Sequence, residues 1–150
     1  MKRTLAAFGA VAALTLSALA TGATTAYASA PVCTDYAAYT DGAGYVTSGV
    51  PITGSYSNYC SLREGNTGNG VRVLQQTLNG CYYDGVTYLE EDGQFGPATA
   101  RALKRAQGIV GVTPDGIYGP NTRDALRWYW SQNWHPRCLR LSDVPGPIRL

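Results

Sequence analysis

Apolar positions recur at helical spacing in three segments of the second half of the chain. Spacings of i, i+3, i+4 and i+7 place side chains on one face of an α-helix, the face that packs into a core. The predicted faces consist of Val71, Leu74 and Leu78, then Thr99, Ala102, Leu103 and Ala106, then Thr122, Ala125, Leu126 and Tyr129. The pattern therefore predicts three helices, and Asn79-Gly80 is a natural stop for the first.

A longer apolar run lies near the amino terminus, from Leu5 to Ala20, directly after two basic residues. Small polar residues and then Ala26-Tyr27-Ala28 follow, which is the order of an export signal cleaved after residue 28. A membrane anchor is the alternative, but the run is shorter than the roughly 20 apolar residues that a span needs. We therefore expect residues 1–28 to be a signal peptide, and the mature protein to be secreted without further membrane contact.

Residues 29–60 differ in composition from the rest of the chain, since they are rich in Tyr, Thr, Ser and Gly and contain few aliphatic side chains. Asp41-Gly42 and Thr53-Gly54 are typical of turns. We interpret this stretch as an irregular segment, in part β, that its cysteines hold to the rest of the chain. A flexible linker is the alternative, and the composition does not decide between them. The remaining residues divide into a predicted domain over 61–138 and a tail over 139–150.

The mature chain contains an even number of cysteines, at positions 33, 60, 81 and 138. In an exported protein, Cys33, Cys60, Cys81 and Cys138 are expected to form two disulfides. Zinc binding is the alternative, but no two cysteines are closely spaced and His135 is the single histidine. Of the three possible pairings, we favour Cys60–Cys81 with Cys33–Cys138.

Charge is balanced overall and uneven along the chain. The whole sequence has 12 basic and 10 acidic side chains, and removal of Lys2 and Arg3 with the signal leaves equal numbers. This balance argues against nucleic acid as a partner. Most of the remaining basic residues lie after residue 92, so that half could face an anionic wall polymer, with scattered solvated arginines as the alternative.

One loop-and-helix start is written twice, as DGQFGPATARAL from Asp92 and DGIYGPNTRDAL from Asp115. In each copy Asp-Gly predicts a turn whose carboxylate accepts backbone N–H groups. The aromatic residue is expected to point inward, and the proline to occupy the first helical position. Two such units can bury their apolar faces against each other and against the first helix. The predicted fold is mainly α: a small, disulfide-stapled three-helix bundle with an internal two-fold repeat and an irregular N-terminal segment.

The residues before and within the duplicated units resemble a known family. Its motif L-x-x-G-x-x-G-x-x-V-x-x-L-Q-x-x-L is formed by Leu62, Gly65, Gly68, Val71, Leu74, Gln75 and Leu78. Both D-G-x-[FY]-G-P-x-T units follow, with Gln107 between them. Residues 61–130 thus resemble the three-helix peptidoglycan-binding domain that is often found beside bacterial cell-wall hydrolases. That family usually has an aromatic residue where Ala106 stands, so we expect Trp128 or Trp130 to supply the missing core volume.

The resemblance implies a secreted, non-catalytic module that binds bacterial cell-wall peptidoglycan and is associated with the wall. The alternatives are a small wall hydrolase or an accessory to one, or a secreted, disulfide-stapled inhibitor or interaction protein. Core packing is favoured for Trp130, because Leu126, Trp130 and Trp134 share one predicted helical face, whereas Trp128 is the better exposed candidate. The residues expected to contact ligand are Arg63, Gln94, Arg101, Asn121, Arg123 and Trp128.

The residues offer little for catalysis. A zinc peptidase needs several His and carboxylate ligands, and a cysteine nucleophile needs a free thiolate. The adjacent Glu90, Glu91 and Asp92 are more readily a solvated acidic loop than a glycosidase pair. We therefore expect no catalytic residues, no metal and no cofactor.

Overall fold

The computed structural model describes residues 30–133, 135–144 and 148–149, the last two by their backbone alone. The predicted signal peptide and Trp134 lie outside these residues. Within them, the helices are α1 (Asn69–Tyr82), α2 (Pro97–Val110) and α3 (Pro120–Ala125), with a short 3-10 turn at Leu141–Asp143. The strands are β1 (Asp35–Ala37), β2 (Tyr39–Thr40), β3 (Val46–Thr47), β4 (Val50–Ile52), β5 (Trp128–Gln132), β6 (His135–Leu139) and β7 (Ile148–Arg149).

The strands form two antiparallel sheets in the described part of the chain. One sheet pairs β1 with β4, and the other has the order β6-β5-β3-β2-β7. The prediction of a mainly α three-helix bundle is therefore wrong. The larger sheet takes strands from the N-terminal segment, from the residues after α3 and from the predicted tail, so all three regions share one structure.

The prediction of a mainly α fold fails chiefly at the third helix, because α3 has only 6 residues and ends at Ala125. Trp128 and Trp130 are fully buried, while Tyr129 between them is half-buried on the other face of β5. This alternation has the period of two that a strand gives, and large aromatic residues favour strands. The helical face predicted to carry Leu126 and Trp130 is consequently wrong, although Trp130 does lie in the core.

The N-terminal segment is packed into the molecule through β1 to β4. Both predicted turns are present: Asp41 Oδ1 accepts the N–H groups of Ala43 and Tyr45 at 2.9 and 3.0 Å, and the Thr53 N–H donates to the Ser57 carbonyl at 2.8 Å. Val50 and Ile52 are each only 1% exposed. Burial of these side chains makes the segment part of the core, which excludes the flexible-linker alternative.

Helices α1 and α2 carry the predicted buried faces, and Pro97 and Pro120 occupy the first turns of α2 and α3 as expected. The predicted stop at Asn79-Gly80 is wrong, since α1 continues to Tyr82. The Asn79 side chain is not a cap: it accepts the Leu89 N–H at 2.8 Å and donates to the Leu89 carbonyl at 2.9 Å. Gly80 is required where the helix lies directly against the Tyr129 ring, which a Cβ would strike.

Two disulfides are present, as predicted, but the favoured pairing is wrong. The bridges are Cys33–Cys60 and Cys81–Cys138, separated by 27 and 57 residues. The first closes the N-terminal segment on itself, because β1 pairs with β4 and brings the segment's ends together. The second ties the end of α1 to β6.

The aromatic residues of β5 fill the core beneath the short third helix. Trp128 packs edge-on against Tyr118, with ring centroids 6.2 Å apart, and Ala106 is fully buried in the same cluster. The expected replacement of core volume therefore comes from the strand. The expectation that Trp128 is exposed is wrong: it is 0% exposed, and its indole N–H donates to the Arg123 carbonyl at 3.1 Å.

Candidate functional site

A buried glutamine holds the first duplicated loop. Gln75 lies on α1, where its Oε1 accepts the Gly93 N–H at 2.9 Å. Its Nε2 donates to Asp92 Oδ1 at 2.9 Å, to the Gln94 carbonyl at 3.1 Å and to Thr99 Oγ1 at 3.3 Å. One amide side chain thus fixes the turn, the following backbone and the first turn of α2.

Gln107 on α2 makes the same set of contacts with the second loop. Its Oε1 accepts the Gly116 N–H at 2.8 Å, and its Nε2 donates to Asp115 Oδ1, the Ile117 carbonyl and Thr122 Oγ1 at 2.8, 3.0 and 3.1 Å. Sequence reasoning quoted both glutamines as parts of a motif and gave them no role. Their signal was a long polar side chain on an otherwise apolar helix face, because a buried amide needs partners.

Each loop also has the predicted carboxylate and inward-pointing aromatic ring. Asp92 Oδ1 accepts the Gln94 N–H at 2.8 Å. That bond, followed by the Gln75 side chain, holds the pKa of Asp92 below its usual value. Phe95 and Tyr118 are 2% and 0% exposed, and burial raises the pKa of Tyr118 well above its ordinary value. The turns are therefore held by several hydrogen bonds each, although the buried Tyr118 hydroxyl has no hydrogen-bond partner among the described residues.

The segment before α1 joins the two loops. Leu62 exchanges two backbone hydrogen bonds with Tyr118 at 2.8 and 2.9 Å, while the Gly65 N–H donates to the Phe95 carbonyl and the Phe95 N–H donates to the Asn66 carbonyl, both at 2.9 Å. Arg63 therefore stands between the two copies. Its backbone is fixed by a 2.9 Å bond from its N–H to Asn66 Oδ1, while its side chain is exposed.

A groove of about 690 Å³ opens beside the second loop. Arg63 forms part of one wall, Asn121 and Asp124 come from α3, and Val112 and Ile117 come from the turn between α2 and α3. The lining thus combines a cation, an amide, aliphatic side chains and two carboxylates, those of Asp124 and of Asp115 in the second loop. Such a mixture of apolar area and a few oriented polar groups is typical of ligand sites.

Comparison with known proteins identifies the framework that builds this groove. Residues 67–126, from the start of α1 through the end of α3, match the family model of the peptidoglycan binding domain. The chain belongs to the peptidoglycan-binding domain family. The family is a binding module, and among the matching relatives it is joined to enzymes of the cell wall.

Three curated relatives illustrate the range of this peptidoglycan-binding domain. A zinc D-Ala-D-Ala carboxypeptidase of Streptomyces albus G is 44% identical over 72 residues, 47% of this chain and 28% of that protein. The N-acetylmuramoyl-L-alanine amidase CwlL of Bacillus licheniformis is 41% identical over 63 residues, 40% of this chain and 18% of that protein. An uncharacterised protein from the bpoA1 3' region of Kitasatospora aureofaciens is 35% identical over 97 residues, 63% of this chain and 79% of that protein.

A solved structure is also similar in sequence: a peptidoglycan-binding protein from Clostridioides difficile in complex with glutamine hydroxamate. It is 31% identical, with a TM-score of 0.44, and the match covers 59% of this chain and 54% of that chain. This chain therefore spans about a quarter of the length of the carboxypeptidase and under a fifth of the length of the amidase named above.

Two of the predicted ligand residues, Arg63 and Asn121, line the groove of this peptidoglycan-binding domain. Arg123 lies beside it, but its side chain is engaged: Nε donates to Asp124 Oδ1 and an Nη donates to the Asn58 carbonyl, both at 2.8 Å. The second contact ties α3 to the N-terminal segment. We therefore assign Arg123 a bracing role at the edge of the groove.

The other predicted residues are placed elsewhere. Gln94 is exposed on the first loop and Arg101 is exposed on α2, and neither lines the groove. Trp128 is buried beneath α3. Sequence reasoning chose Gln94 and Arg101 because the loops repeat, but only the second copy borders the groove. It chose Trp128 as an exposed ring, which the burial of that side chain contradicts.

Residues 30–133, 135–144 and 148–149 contain neither a metal-binding cluster nor a membrane-spanning helix. No group of three or more His, Cys, Asp or Glu side chains in this part of the chain is arranged to hold a metal ion. Over the same residues, no helix has the length and apolar character needed to cross a bilayer.

Proposed function

We propose that this protein is a secreted, non-catalytic module that binds bacterial cell-wall peptidoglycan through the groove beside the second duplicated loop. The observation that carries the proposal is that Arg63 and Asn121 both line that groove, on a framework that belongs to the peptidoglycan-binding domain family. Both side chains are exposed and have no side-chain hydrogen bond among the described residues, so both are free to contact a ligand.

The lining suits a glycan with peptide stems. An Asn side chain donates and accepts hydrogen bonds, which matches the amides and hydroxyls of such a polymer. Arg63 is suited to a stem carboxylate through charge-assisted bonds, and Asp124 to an amino group. Val112 and Ile117 supply apolar area for methyl groups.

The proposed location is outside the cell, at the wall. Two disulfides are expected in an oxidising compartment and are present here. Two relatives, a D-Ala-D-Ala carboxypeptidase and an N-acetylmuramoyl-L-alanine amidase, carry names of cell-wall enzymes. Their similarity to this chain extends over the binding module, which supports wall attachment without chemistry.

Co-sedimentation with purified, insoluble sacculi tests the proposal. The disulfide-intact protein is expected to pellet with sacculi, and Arg63→Ala and Asn121→Ala are each expected to weaken binding about three- to tenfold, the loss of one or two hydrogen bonds. Arg72→Ala is a matched control, because Arg72 is an exposed arginine on α1 that lies outside the groove. It should bind like the unaltered protein.

Three outcomes would contradict the proposal. Protein that remains in the supernatant would refute peptidoglycan binding and favour an inhibitor or another interaction protein. Release of soluble fragments from the sacculi would identify a hydrolase. Equal binding by all three variants would place the contact surface outside the groove.

A further inference from the structure

A second cleft lies on another part of the molecule, between the end of α1 and the second half of α2. Its volume is about 360 Å³, and it shares no lining residue with the groove. Three arginines line it: Arg105 from α2, Arg127 from the turn before β5 and Arg140 from the turn after β6. The cleft has no part in the peptidoglycan contact proposed above.

The charge of this cleft is not balanced by its own residues. Asp84 is the one carboxylate among the lining residues, and its Oδ2 lies 3.1 Å from an Nη of Arg105. No described residue forms an ion pair with Arg127 or Arg140. Like charges repel each other, so an anion bound in this cleft would lower the repulsion among the three arginines.

The charged side chains of the cleft supply more donors than acceptors. The Nε atoms of Arg105 and Arg140 are both buried and have no hydrogen-bond partner among the described residues. Buried polar atoms in folded proteins are nearly always bonded. The Tyr82 hydroxyl accepts the Arg127 backbone N–H at 2.6 Å, so its own proton remains available to donate.

Independent constraints bring the three arginines together. The Cys81–Cys138 bridge fixes the strand that ends just before Arg140 against the end of α1. The hydrogen bond to the Tyr82 hydroxyl fixes the backbone of Arg127, and the ion pair with Asp84 orients the guanidinium of Arg105. The backbones of two arginines and the guanidinium of Arg105 are therefore positioned before binding, which lowers its entropy cost.

We propose that this cleft binds a phosphate group. The unbalanced positive charge favours an anion, and a phosphate presents more acceptor oxygens than the two of a carboxylate. It can therefore use donors from all three guanidinium groups and the Tyr82 hydroxyl. Ile109 and Val110 form an apolar edge of the cleft that can contact carbon atoms next to the phosphate. The same group could come from free phosphate or from a phosphodiester polymer.

NMR titration with sodium phosphate, at constant ionic strength kept with sodium chloride, tests this site directly. The Nε–Hε resonances of Arg105 and Arg140 should shift saturably with phosphate. Arg140→Gln should weaken binding at least about tenfold, because one charge-assisted donor is lost. Arg127→Gln is a second variant, chosen because its backbone bond to Tyr82 is retained. Arg72→Gln is the matched control outside the cleft and should bind normally.

The outcomes separate the ligand class and its source. Displacement of phosphate by a soluble poly(glycerol phosphate) would support the site and identify a phosphodiester polymer as a source, while binding of inorganic phosphate alone would support the site with free phosphate as its ligand. Absence of saturable shifts would overturn the proposal. It would also be overturned if both cleft variants bound phosphate as tightly as the unaltered protein. Equal affinity for sodium acetate would also overturn it, because a carboxylate site would then suffice. None of these results depends on sacculus binding.

Discussion

Replacement of Gln75 by alanine tests whether a single amide holds each duplicated loop. The change removes the acceptor of the Gly93 N–H, a buried group, which costs about 1–3 kcal/mol when left unpaired. It also removes one buried methylene, worth about 0.8 kcal/mol. Asp92 is exposed, so water can replace the donor it loses. We expect Gln75→Ala to lower the free energy of unfolding by about 3 kcal/mol.

Gln76→Ala provides the matched control, because Gln76 follows on the same helix, is half-buried and has no side-chain hydrogen bond among the described residues. It should cost about 0.5 kcal/mol. Gln107→Ala should resemble Gln75→Ala, since its contacts with the second loop are the same. Urea unfolding of the disulfide-intact proteins measures all three. The reasoning is refuted if Gln75→Ala costs no more than Gln76→Ala.

Three other predictions follow from the same structure. The pKa of Asp92 is depressed in the folded state, so ionised Asp92 stabilises the fold above its unfolded pKa, about 4, and this stabilisation is lost as pH falls through the folded pKa. In urea unfolding from about pH 5 down to pH 2, the free energy of unfolding should therefore fall less for Asp92→Asn than for the unaltered protein. Removal of the Cys81–Cys138 bridge, which spans 57 residues, should cost about 4 kcal/mol in the chain-entropy model, and an unchanged urea midpoint for the double Ser variant would contradict this. Gly70→Ala should destabilise the protein by about 1–3 kcal/mol, because the new Cβ would lie 2.7 Å from a backbone carbonyl oxygen of the N-terminal segment. The Cβ of Gly108→Ala would have no atom within 4 Å, so this change should stabilise α2 by about 0.5–1 kcal/mol. A lower melting temperature for Gly108→Ala than for Gly70→Ala would be inconsistent with the packing.

The local features of the duplicated unit could be read from the sequence because they depend on neighbouring residues. Asp-Gly requires a turn, Pro suits the first turn of a helix and an aromatic residue flanked by Gly can turn inward. Phe95 and Tyr118 are indeed buried, and α2 and α3 begin at the predicted prolines. These outcomes needed no knowledge of distant contacts.

The sheet and the disulfide pairing could not be derived in the same way, because both depend on contacts far apart in sequence. Trp128 to Trp130 fit a helix or a strand over so short a run, and pairing with β3 and β6 decides in favour of the strand. The pairing of Cys33 with Cys60 depends on β1 and β4 lying side by side. Strand propensity alone is too dependent on context to give this result.

The candidate site was partly predictable for the same reason. Arg63 and Asn121 were named from the motif and both line the groove. The repeat suggested two equal loops, but the contact between Arg123 and Asn58 comes from a segment that the motif does not include. The second cleft was not foreseen, because its three arginines come from separate elements.

Chemical-shift mapping with soluble peptidoglycan fragments tests the central claim most directly. The ¹H–¹⁵N spectrum of the disulfide-intact protein would be recorded during titration with muropeptides of defined composition. The proposed function predicts that the largest shifts cluster at Arg63, at Val112 and Ile117, and at Asn121. Shifts confined to the arginine-lined cleft or to the N-terminal strands, with the groove unaffected, would contradict it.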